Sequence, residues 1–384
     1  MPVLNSIADA EAQMAGWRQH IHQNPEIGLD CVKTAAFVAE RLREIGVDEI
    51  HEGIGRTGIV ALIKGRAAGP TLGLRADMDA LPMPETTGAP YASQVPGAMH
   101  ACGHDGHTTM LMGAAKYLAE TRNFAGTVAL IFQPAEETGE GAKAMLAEGI
   151  MDRFGVERVF AIHTSAGEDL GVFTTRPGPF MASVGDFNIH ITGRGGHAAY
   201  PHKSSDPVAA MLVMANALQT IVSRNADATD EVVLSITQVN AGSAFNVIPA
   251  EARIGGTIRC FSVEARDMVR RRMKEICEGV AAAMGVSVTI SSKIDLDPTV
   301  NHEAETALAA EVAAEISGVE ILGHPHMGGE DFGAMLGTRP GAFLFLGQGK
   351  GPLVHETDFD FNDKAAPIGA SFLARLVERA LPMG

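Results

Sequence analysis

The segment HACGHDGHTT, residues 100–109, places three histidines, a cysteine and an aspartate within ten positions. Cys102 and His104 stand two residues apart just before a predicted helix, and side chains at that spacing on an extended loop can point to the same side and bind metal. The chain contains no C-x-x-C pair, which argues against a zinc finger. Asp105 is expected to cap the helix or to support a ligand through a hydrogen bond. His107 is expected in the first helical turn, either as a polar surface residue or as a residue that supports a ligand. Taken alone, the segment leaves a metal site and an ordinary polar loop equally open.

Two adjacent glutamates, Glu136 and Glu137, lie in the segment FQPAEETGEGA, directly after a predicted buried strand. Neighbouring side chains of an extended segment point in different directions. One carboxylate could therefore hold a metal while the other faces a bound water as general base. The alternative is that the pair simply begins a solvated helix. The strand before the pair and the glycine-rich sequence around it favour the catalytic interpretation.

Polar side chains follow several predicted strands at the point where each strand ends. Asp77 follows the apolar run TLGLRA, His163 ends the run RVFAIH, and His355 follows the run GAFLFLG after a short glycine-rich loop. In an open α/β sheet the carboxyl ends of the strands form the ligand crevice. We therefore expect these three residues to meet the glutamate pair at one edge of the sheet.

The glycine-rich segment GRGGHAAYPH, residues 193–202, contains the spacing G-x-G-x-x-A of a nucleotide-binding fingerprint. That fingerprint must open a helix, whereas here Pro201 intervenes and the next helix is predicted from about Asp206. A glycine-rich turn that presents His197 to a cleft is the better interpretation. The chain also contains no G-x-S-x-G, which argues against a serine hydrolase.

The strands and helices that must position these residues fall into two patterns. Continuous apolar runs in the first half and near the C-terminus indicate strands covered on both faces, with helices between them, which predicts an α/β region with a mostly parallel sheet. The middle alternates apolar and polar residues in the order β-α-β-β-α-β, which is typical of a ferredoxin-like α+β domain. We predict a discontinuous α/β domain over 1–180 and 293–384, interrupted by an inserted α+β domain over 181–292.

Composition and charge narrow the possible partners and compartments. The formal net charge of −16 argues against nucleic acid and anionic membrane surfaces as partners. No apolar run approaches the ~18 residues of a membrane span, and the N-terminus lacks the pattern of a signal peptide. The four cysteines are few and widely spaced, so they are predicted to be thiols in a reducing cytoplasm.

With these residues in view, the chain resembles the M20 family of metallopeptidases and amidohydrolases over essentially its whole length. It is most similar to the branch of hippurate hydrolases, N-acyl-L-amino acid amidohydrolases and auxin-conjugate hydrolases. The resemblance rests on motifs in the family order and spacing: RADMDALPM, HACGHDGHT, FQPAEE, GRGGHAAYPH, FNVIP, GTIR and GGEDF. It implies a zinc-aminopeptidase-like α/β catalytic domain and an inserted domain that serves as lid and dimerisation surface.

The resemblance also implies a site for two divalent metal ions. Cys102 would bridge the two metals. Glu137 and His355 would complete one metal site, and His104 and His163 the other.

The identity of the metals and the role of two nearby aspartates follow from the same resemblance. Other branches usually bridge the metals with an aspartate and use a histidine at the strand end, where this chain has Asp77. Asp77 and Asp79 would then orient the ligands through hydrogen bonds. A bridging thiolate favours zinc, nickel or cobalt, whereas manganese is often associated with this branch.

The reaction implied by the resemblance is metal-assisted hydrolysis of an amide. Glu136 would take a proton from the attacking water and return it to the leaving amine, and His197 would donate a hydrogen bond to the oxyanion. Asn246 and Arg259 would hold the substrate carboxylate, although Arg259 could equally form a structural salt bridge on the sheet face that it shares with Arg253. His197 could serve its own site or that of the partner subunit in a homodimer or homotetramer.

Three functions are compatible with these residues. The first, which we expect, is hydrolysis of N-acyl amino acids with hippurate-like or N-acetyl groups. The second is a dipeptidase or aminopeptidase, which needs an acidic group such as Glu330 or Asp331 to receive a free amino terminus. The third is a non-enzymatic binding protein, which would be expected to have lost a ligand or the base, whereas here every position is filled.

Overall fold

The computed structural model describes residues 3–383, which separate into two compact units. Unit 1 runs to Phe180 and resumes over Val300–Pro325 and from Asp331 onwards. Unit 2 comprises Met181–Thr299 and His326–Glu330. The short second segment belongs to unit 2 because the backbone N–H of Ala182 donates to the carbonyl oxygens of His326 and Gly328.

Strands and helices follow one another along most of the chain. The strands are β1 (Glu49–Ile54), β2 (Gly58–Lys64), β3 (Ala67–Asp77), β4 (Ala125–Gln133), β5 (Val156–Ser165), β6 (Val172–Thr175), β7 (Gly178–Met181), β8 (Ser183–Thr192), β9 (Gly196–His197), β10 (Val233–Ala241), β11 (Val247–Ile248), β12 (Glu251–Cys260), β13 (Ser287–Ser291), β14 (Asp295–Leu296), β15 (Thr299–Asn301), β16 (Gly318–Ile321) and β17 (Gly341–Gly347). The helices are α1 (Asn5–Ala8), α2 (Glu11–Gln23), α3 (Val32–Ile45), α4 (His104–Thr121), α5 (Gly141–Ala147), α6 (Ile150–Arg153), α7 (Pro207–Leu218), α8 (Thr220–Arg224), α9 (Val263–Met284), α10 (Glu303–Ile316), α11 (Gly333–Leu336) and α12 (Ala365–Ala380), with a 3-10 turn over Pro201–Lys203.

Unit 1 is built on an eight-stranded mixed sheet in the order β1-β2-β4-β3-β5-β17-β6-β16. Its four neighbouring strands β4, β3, β5 and β17 are mutually parallel. The apolar runs of the sequence form these strands and β2, and their residues are almost all buried. Because strands covered on both faces need apolar side chains throughout, the runs predicted this part of the fold correctly. The α/β fold class is confirmed.

Unit 2 has an antiparallel sheet in the order β10-β12-β8-β13. This is the ferredoxin-like order that the β-α-β-β-α-β pattern predicted, with α7 and α9 sharing one apolar core with the sheet. The alternating residues Phe187, Ile189 and Ile191 are all buried in that core. Asp206 caps α7 as expected, since its carboxylate accepts the backbone N–H of Val208 at 2.8 Å.

Two further features concern the predictions about a membrane span and about the cysteines. Within residues 3–383, no helix combines the length and the hydropathy that crossing a membrane requires. All four cysteines are buried as free thiols.

Candidate metal centre

The candidate residues of unit 1 lie at the edge of the sheet where β4, β3, β5 and β17 end. β3 ends at Asp77, β4 ends just before the glutamate pair, and β17 ends ahead of the loop that carries His355. His163 lies inside β5 rather than at its end, because β17 continues to pair with β5 as far as Gly347 and Ser165. The prediction that His163 ends its strand is therefore wrong by two residues, although its side chain still reaches the same edge.

Several groups of potential ligands have all their metal-binding atoms within 4.8 Å of one another, and two of these groups consist only of residues that the resemblance implied as ligands. One group is Cys102, His104 and His163, and the other is Cys102, Glu137 and His355. Cys102 Sγ lies 3.3 Å from His163 Nε2, and His355 Nε2 lies 3.4 Å from Glu137 Oε1. The structure thus brings together the two sets that the resemblance implied, with the cysteine common to both.

Two of these histidines turn Nε2 toward the centre of the site. His104 Nδ1 lies 2.8 Å from the carbonyl oxygen of Asp79, and His163 Nδ1 lies 2.7 Å from the carbonyl oxygen of Thr164. A carbonyl oxygen only accepts, so each Nδ1 donates and each Nε2 is the atom that can bind a metal.

The site contains buried polar atoms that no protein group satisfies. His104 Nε2 and Glu137 Oε1 are both buried without a hydrogen-bond partner among the residues described. Native proteins rarely leave such atoms unpaired. His104 belongs to one of the two ligand groups and Glu137 to the other, so metal ions bound in both groups would satisfy both atoms, and the residues present therefore fit a metal centre.

Asp79 holds the glutamate pair in place. Its two carboxylate oxygens accept the backbone N–H of Glu136 at 2.9 Å and that of Glu137 at 3.1 Å. Ala135, just before the pair, has a φ of 57°, and such strained backbone tends to occur at functional sites. As a result Glu136 Oε2 lies 3.9 Å from His104 Nε2, beside both groups of candidate ligands. Asp79 therefore fixes the backbone segment that carries the two glutamates.

Asp77 is fully buried, and its carboxylate lies between the side chains of Arg75 and His107. Its carboxylate accepts a hydrogen bond from Arg75 at 2.6 Å and lies 2.6 Å from His107 Nδ1. Burial opposes its ionisation, but His104, His107 and Arg75 together hold the pKa of Asp77 well below its usual value. Asp77 is thus an ionised residue whose oxygens are already engaged by the protein.

A buried cluster behind Asp77 was missed by the sequence analysis. Asp331 accepts hydrogen bonds from Arg75 at 2.9 Å, from the Gln133 amide at 2.8 Å and from the backbone N–H of Ala142 at 2.9 Å. The available signal was an arginine and a glutamine inside otherwise apolar strands. Such residues are rarely buried unless they are paired, which predicts a partner carboxylate but not which one.

The pKa values of the candidate ligands Cys102 and His163 are shifted in opposite directions. Burial, and then the Glu137 carboxylate, raises the pKa of the Cys102 thiol well above its usual value. Burial and the neighbouring His107 lower the pKa of His163, so its imidazole is neutral, which is the form that binds metal. A thiolate at Cys102 would need a compensating cation, and a bound divalent metal deprotonates a coordinating thiol.

His355 reaches the site from a strained loop. It has a φ of 68° although it is not a glycine, and its backbone N–H donates to the carbonyl oxygen of Ala101 at 2.7 Å. This bond joins its loop to the segment that carries Cys102. The nearby Glu137 carboxylate raises the pKa of His355 against the effect of burial.

The other polar residues of HACGHDGHTT do not point into either group. Asp105 was predicted to cap α4, and this is wrong: the helix begins at His104, and the cap position is taken by Gly103. Asp105 is the second helical residue, and its buried carboxylate lies 2.8 Å from His22 Nδ1 instead. His100 is also buried, and neither of its ring nitrogens has a hydrogen-bond partner among the residues described.

Gly103 makes the tight turn between the two candidate ligands Cys102 and His104. Its φ is 86°, and a Cβ placed there would lie 2.5 Å from Thr164 Cγ2, next to His163. We expect Gly103→Ala to lower the free energy of unfolding by about 1–2 kcal/mol for the left-handed backbone and by about 1–3 kcal/mol more for the clash.

Gly97→Ala is the matched control for this prediction. Gly97 also has a positive φ, of 80°, but a Cβ there would have nothing within 4 Å. Urea unfolding curves of both variants measure the difference. Equal destabilisation by the two substitutions would contradict the close approach of Gly103 to Thr164.

The candidate residues His197 and Asn246 belong to unit 2. His197 is exposed on β9, where it pairs with Val247 of β11. Asn246 is exposed, and its carbonyl oxygen accepts the backbone N–H of Ala198 at 3.0 Å.

Arg259 lies on β12 and is half-buried, and its Nη1 has no hydrogen-bond partner among the residues described. Among the residues described, this nitrogen takes part in no structural salt bridge. Arg253, on the same strand, hydrogen-bonds instead to the Asn188 side chain at 2.6 Å.

Together, the fold and the site define a class of protein: an α/β metalloenzyme with candidate ligands for two metal ions at the carboxyl edge of the parallel strands. Residues 73–379 match the model of peptidase family M20/M25/M40. The chain belongs to this family, and it is an enzyme, an amidohydrolase.

Individual relatives agree with this assignment. The chain is 40% identical to the hippurate hydrolase of Campylobacter jejuni subsp. jejuni, over 99% of this chain and 100% of that one. It is 38% identical to the N-acetyl-L-cysteine deacetylase of Bacillus subtilis, over 98% and 90% respectively. Among solved structures, the YXEP protein of Bacillus subtilis, described as a dinuclear metal binding peptidase from the M20 family, aligns with a TM-score of 0.84 and 34% identity, over 97% of this chain and 99% of that one.

Proposed function

We propose that this enzyme hydrolyses the amide bond of N-acyl amino acids, with hippurate-like or N-acetyl groups, and releases a carboxylic acid and a free amino acid. The observation that carries the proposal is the pair of ligand groups that share Cys102, with the buried carboxylate of Glu136 beside them. The relatives that act on hippurate and on N-acetyl-L-cysteine, according to their names, support the substrate class.

In this proposal five residues hold two divalent metal ions: Cys102, His104, His163, Glu137 and His355. When bound, such ions polarise the amide carbonyl and increase the acidity of a water molecule. The mixture of a thiolate, imidazoles and a carboxylate suits zinc, manganese, nickel or cobalt.

The proton transfers are assigned to Glu136. Both glutamates lie 3.9 Å from His104 Nε2, but only Glu137 also belongs to the group with Cys102 and His355, which leaves Glu136 as the base. Its Oε1 accepts the backbone N–H of Asp331 at 3.4 Å, which helps to orient the carboxylate. Glu136 takes the proton of the attacking water and delivers it to the amine that leaves.

Substrate recognition is assigned to unit 2. The unpartnered Arg259 guanidinium would bind the carboxylate of the amino acid, with Asn246 as a second donor. His197 would donate to the oxyanion, in its own site or in that of a partner subunit.

A homodimer or homotetramer is supported by apolar surface on unit 2. Leu212 and Val213 of α7 are 55% and 46% exposed. β10 is an edge strand with most of its residues exposed, and such an edge can pair with a second copy. The cytoplasm is proposed as the compartment because all four cysteines are free thiols.

The dipeptidase or aminopeptidase alternative is less well supported. It requires an acidic group to receive the free amino terminus, and one of the two residues considered, Asp331, already accepts hydrogen bonds from Arg75, Gln133 and the backbone. Breaking this buried network to bind an ammonium group would be costly.

The experiment that tests the proposed function is metal-dependent hydrolysis of hippurate. Protein stripped with a chelator should release no benzoate, and adding back manganese, zinc, cobalt or nickel should restore release. Full activity of the stripped protein, verified to be metal-free, would contradict the proposal.

His197→Ala is expected to lower kcat on hippurate by about 10²-fold or more, which is the scale for loss of one oxyanion donor. His202→Ala is the matched control, because His202 is an exposed histidine on the neighbouring 3-10 turn. Steady-state kinetics measures both. A kcat that does not change in His197→Ala would remove this residue from the mechanism.

A further inference from the structure

His107 is a buried histidine of α4 that lies close to the candidate ligands without belonging to either group. Its Nε2 accepts the backbone N–H of Thr164 at 2.8 Å. A backbone N–H only donates, so Nε2 carries the lone pair and Nδ1 carries the hydrogen. Nδ1 then donates to Asp77 at 2.6 Å. Both nitrogens are engaged, so His107 could bind a metal only by giving up a hydrogen bond.

These two bonds join the carboxyl ends of neighbouring strands. β3 and β5 pair in parallel as far as Arg75 and Ala161. Beyond that point His107 connects Asp77, at the end of β3, to Thr164, near the end of β5. The imidazole therefore links the two strands by hydrogen bonds beyond the point where their backbone pairing ends.

Thr164 in turn determines the orientation of the candidate ligand His163. The carbonyl oxygen of Thr164 accepts the hydrogen of His163 Nδ1 at 2.7 Å, and its hydroxyl donates to Gln348 at 3.0 Å. The rings of His107 and His163 also meet edge to face, with centroids 4.4 Å apart. A shift of Thr164 would therefore rotate His163 Nε2 away from Cys102.

We propose that His107 is a positioning residue that orients His163 and thereby sets the affinity for one of the two metal ions, while touching neither metal nor substrate. The inference depends on one part of the proposed function, namely that the site binds two metal ions. It predicts an effect confined to the group of Cys102, His104 and His163. A residue that merely stabilised the fold would weaken both metals alike.

Two isosteric substitutions separate the two bonds of His107. In His107→Gln the amide oxygen can occupy the place of Nε2 and still accept the Thr164 N–H. In His107→Asn the amide nitrogen can occupy the place of Nδ1 and donate to Asp77, but the Thr164 bond is lost. We expect His107→Asn to weaken one metal-binding step about 10–100-fold, the range for partners that orient metal ligands, and His107→Gln to stay within a few-fold of the wild type.

The measurement is a Co²⁺ titration of the stripped protein, in which absorption bands of the bound ion resolve the two binding steps. His100→Asn is the control, since His100 is a buried histidine of the same segment whose nitrogens make no hydrogen bond among the residues described. It should lower thermal stability and leave the ratio of the two affinities unchanged. Equal weakening of both steps in His107→Asn, no weakening of either, or identical behaviour of the Asn and Gln variants would overturn the proposal.

A second measurement needs no variant. Long-range ¹H–¹⁵N spectra of the wild-type histidines should show His107 as a neutral ring with hydrogen on Nδ1, unchanged when Zn²⁺ is added, while His104 and His163 shift at Nε2. A shift of His107 Nε2 like that of a metal-bound nitrogen would make it a ligand and overturn its role as a positioning residue. A wild-type protein that takes up no metal would instead contradict the proposed function itself.

Discussion

Glu136→Gln is expected to bind both metal ions and to lose nearly all turnover. Glutamine keeps the shape of the side chain and can still accept the Asp331 N–H, but it cannot take a proton from water. General acid–base catalysis contributes about 10²–10⁴-fold, so kcat on hippurate should fall by at least that factor. Steady-state kinetics and metal content by mass spectrometry, on the same protein sample, measure the two parts of this prediction.

Glu137→Gln is the control that the chain itself provides. The two glutamates are adjacent, both have their backbone N–H held by Asp79, and only Glu137 belongs to the group with Cys102 and His355. Glu137→Gln should therefore lose metal as well as activity. Loss of metal in Glu136→Gln with full metal content in Glu137→Gln would mean that the roles of the two residues are exchanged.

Cys102→Ser is expected to weaken both metal sites together. Cys102 is common to both ligand groups, and a serine hydroxyl does not become an anion as readily as a thiol. Each metal affinity should fall by more than the roughly 10–100-fold seen for residues that only orient ligands, and activity should be lost with it. A titration with Zn²⁺ in competition with a coloured chelator gives both affinities.

Two comparisons make the Cys102 prediction specific. His355→Ala should weaken mainly one metal, because His355 belongs to one group only. Cys277→Ser removes a buried free thiol from α9 of unit 2, whereas all five candidate ligands belong to unit 1, and it should leave both affinities unchanged. If Cys102→Ser lost a single metal, the shared role of the cysteine would be disproved.

The sequence predicted the strands of unit 1 well because they are buried on both faces. Apolar runs such as those of β2 and β17 have few other uses in a globular protein, and the rule that ligands gather at carboxyl ends then placed Asp77, the glutamate pair and His355 at one edge. The pairing of remote segments could not be derived in this way. His355 joins Cys102 across more than 200 residues only because β17 lies next to β5.

The errors and omissions concern local geometry and buried pairing. Asp105 has the residue type of a helix cap, but the left-handed turn at Gly103 starts α4 earlier and turns the carboxylate toward His22. Among the partners of Arg75, Asp77 lies two residues along the same strand, but Gln133 and Asp331 lie on remote segments that periodicity could not reveal. For His107 the sequence left a polar surface residue and a residue that supports a ligand both open, because its two hydrogen bonds reach strands far away in sequence.

The central claim is that the enzyme cleaves acylated amino acids rather than free peptides, and one pair of substrates tests it directly. Hippurate and the dipeptide Phe-Gly share the glycine carboxylate that Arg259 would bind, and they are similar in size, but only Phe-Gly carries a free amino group. With the manganese- or zinc-loaded enzyme, kcat/KM for hippurate should far exceed that for Phe-Gly. Efficient cleavage of Phe-Gly with no release of benzoate from hippurate would contradict the account.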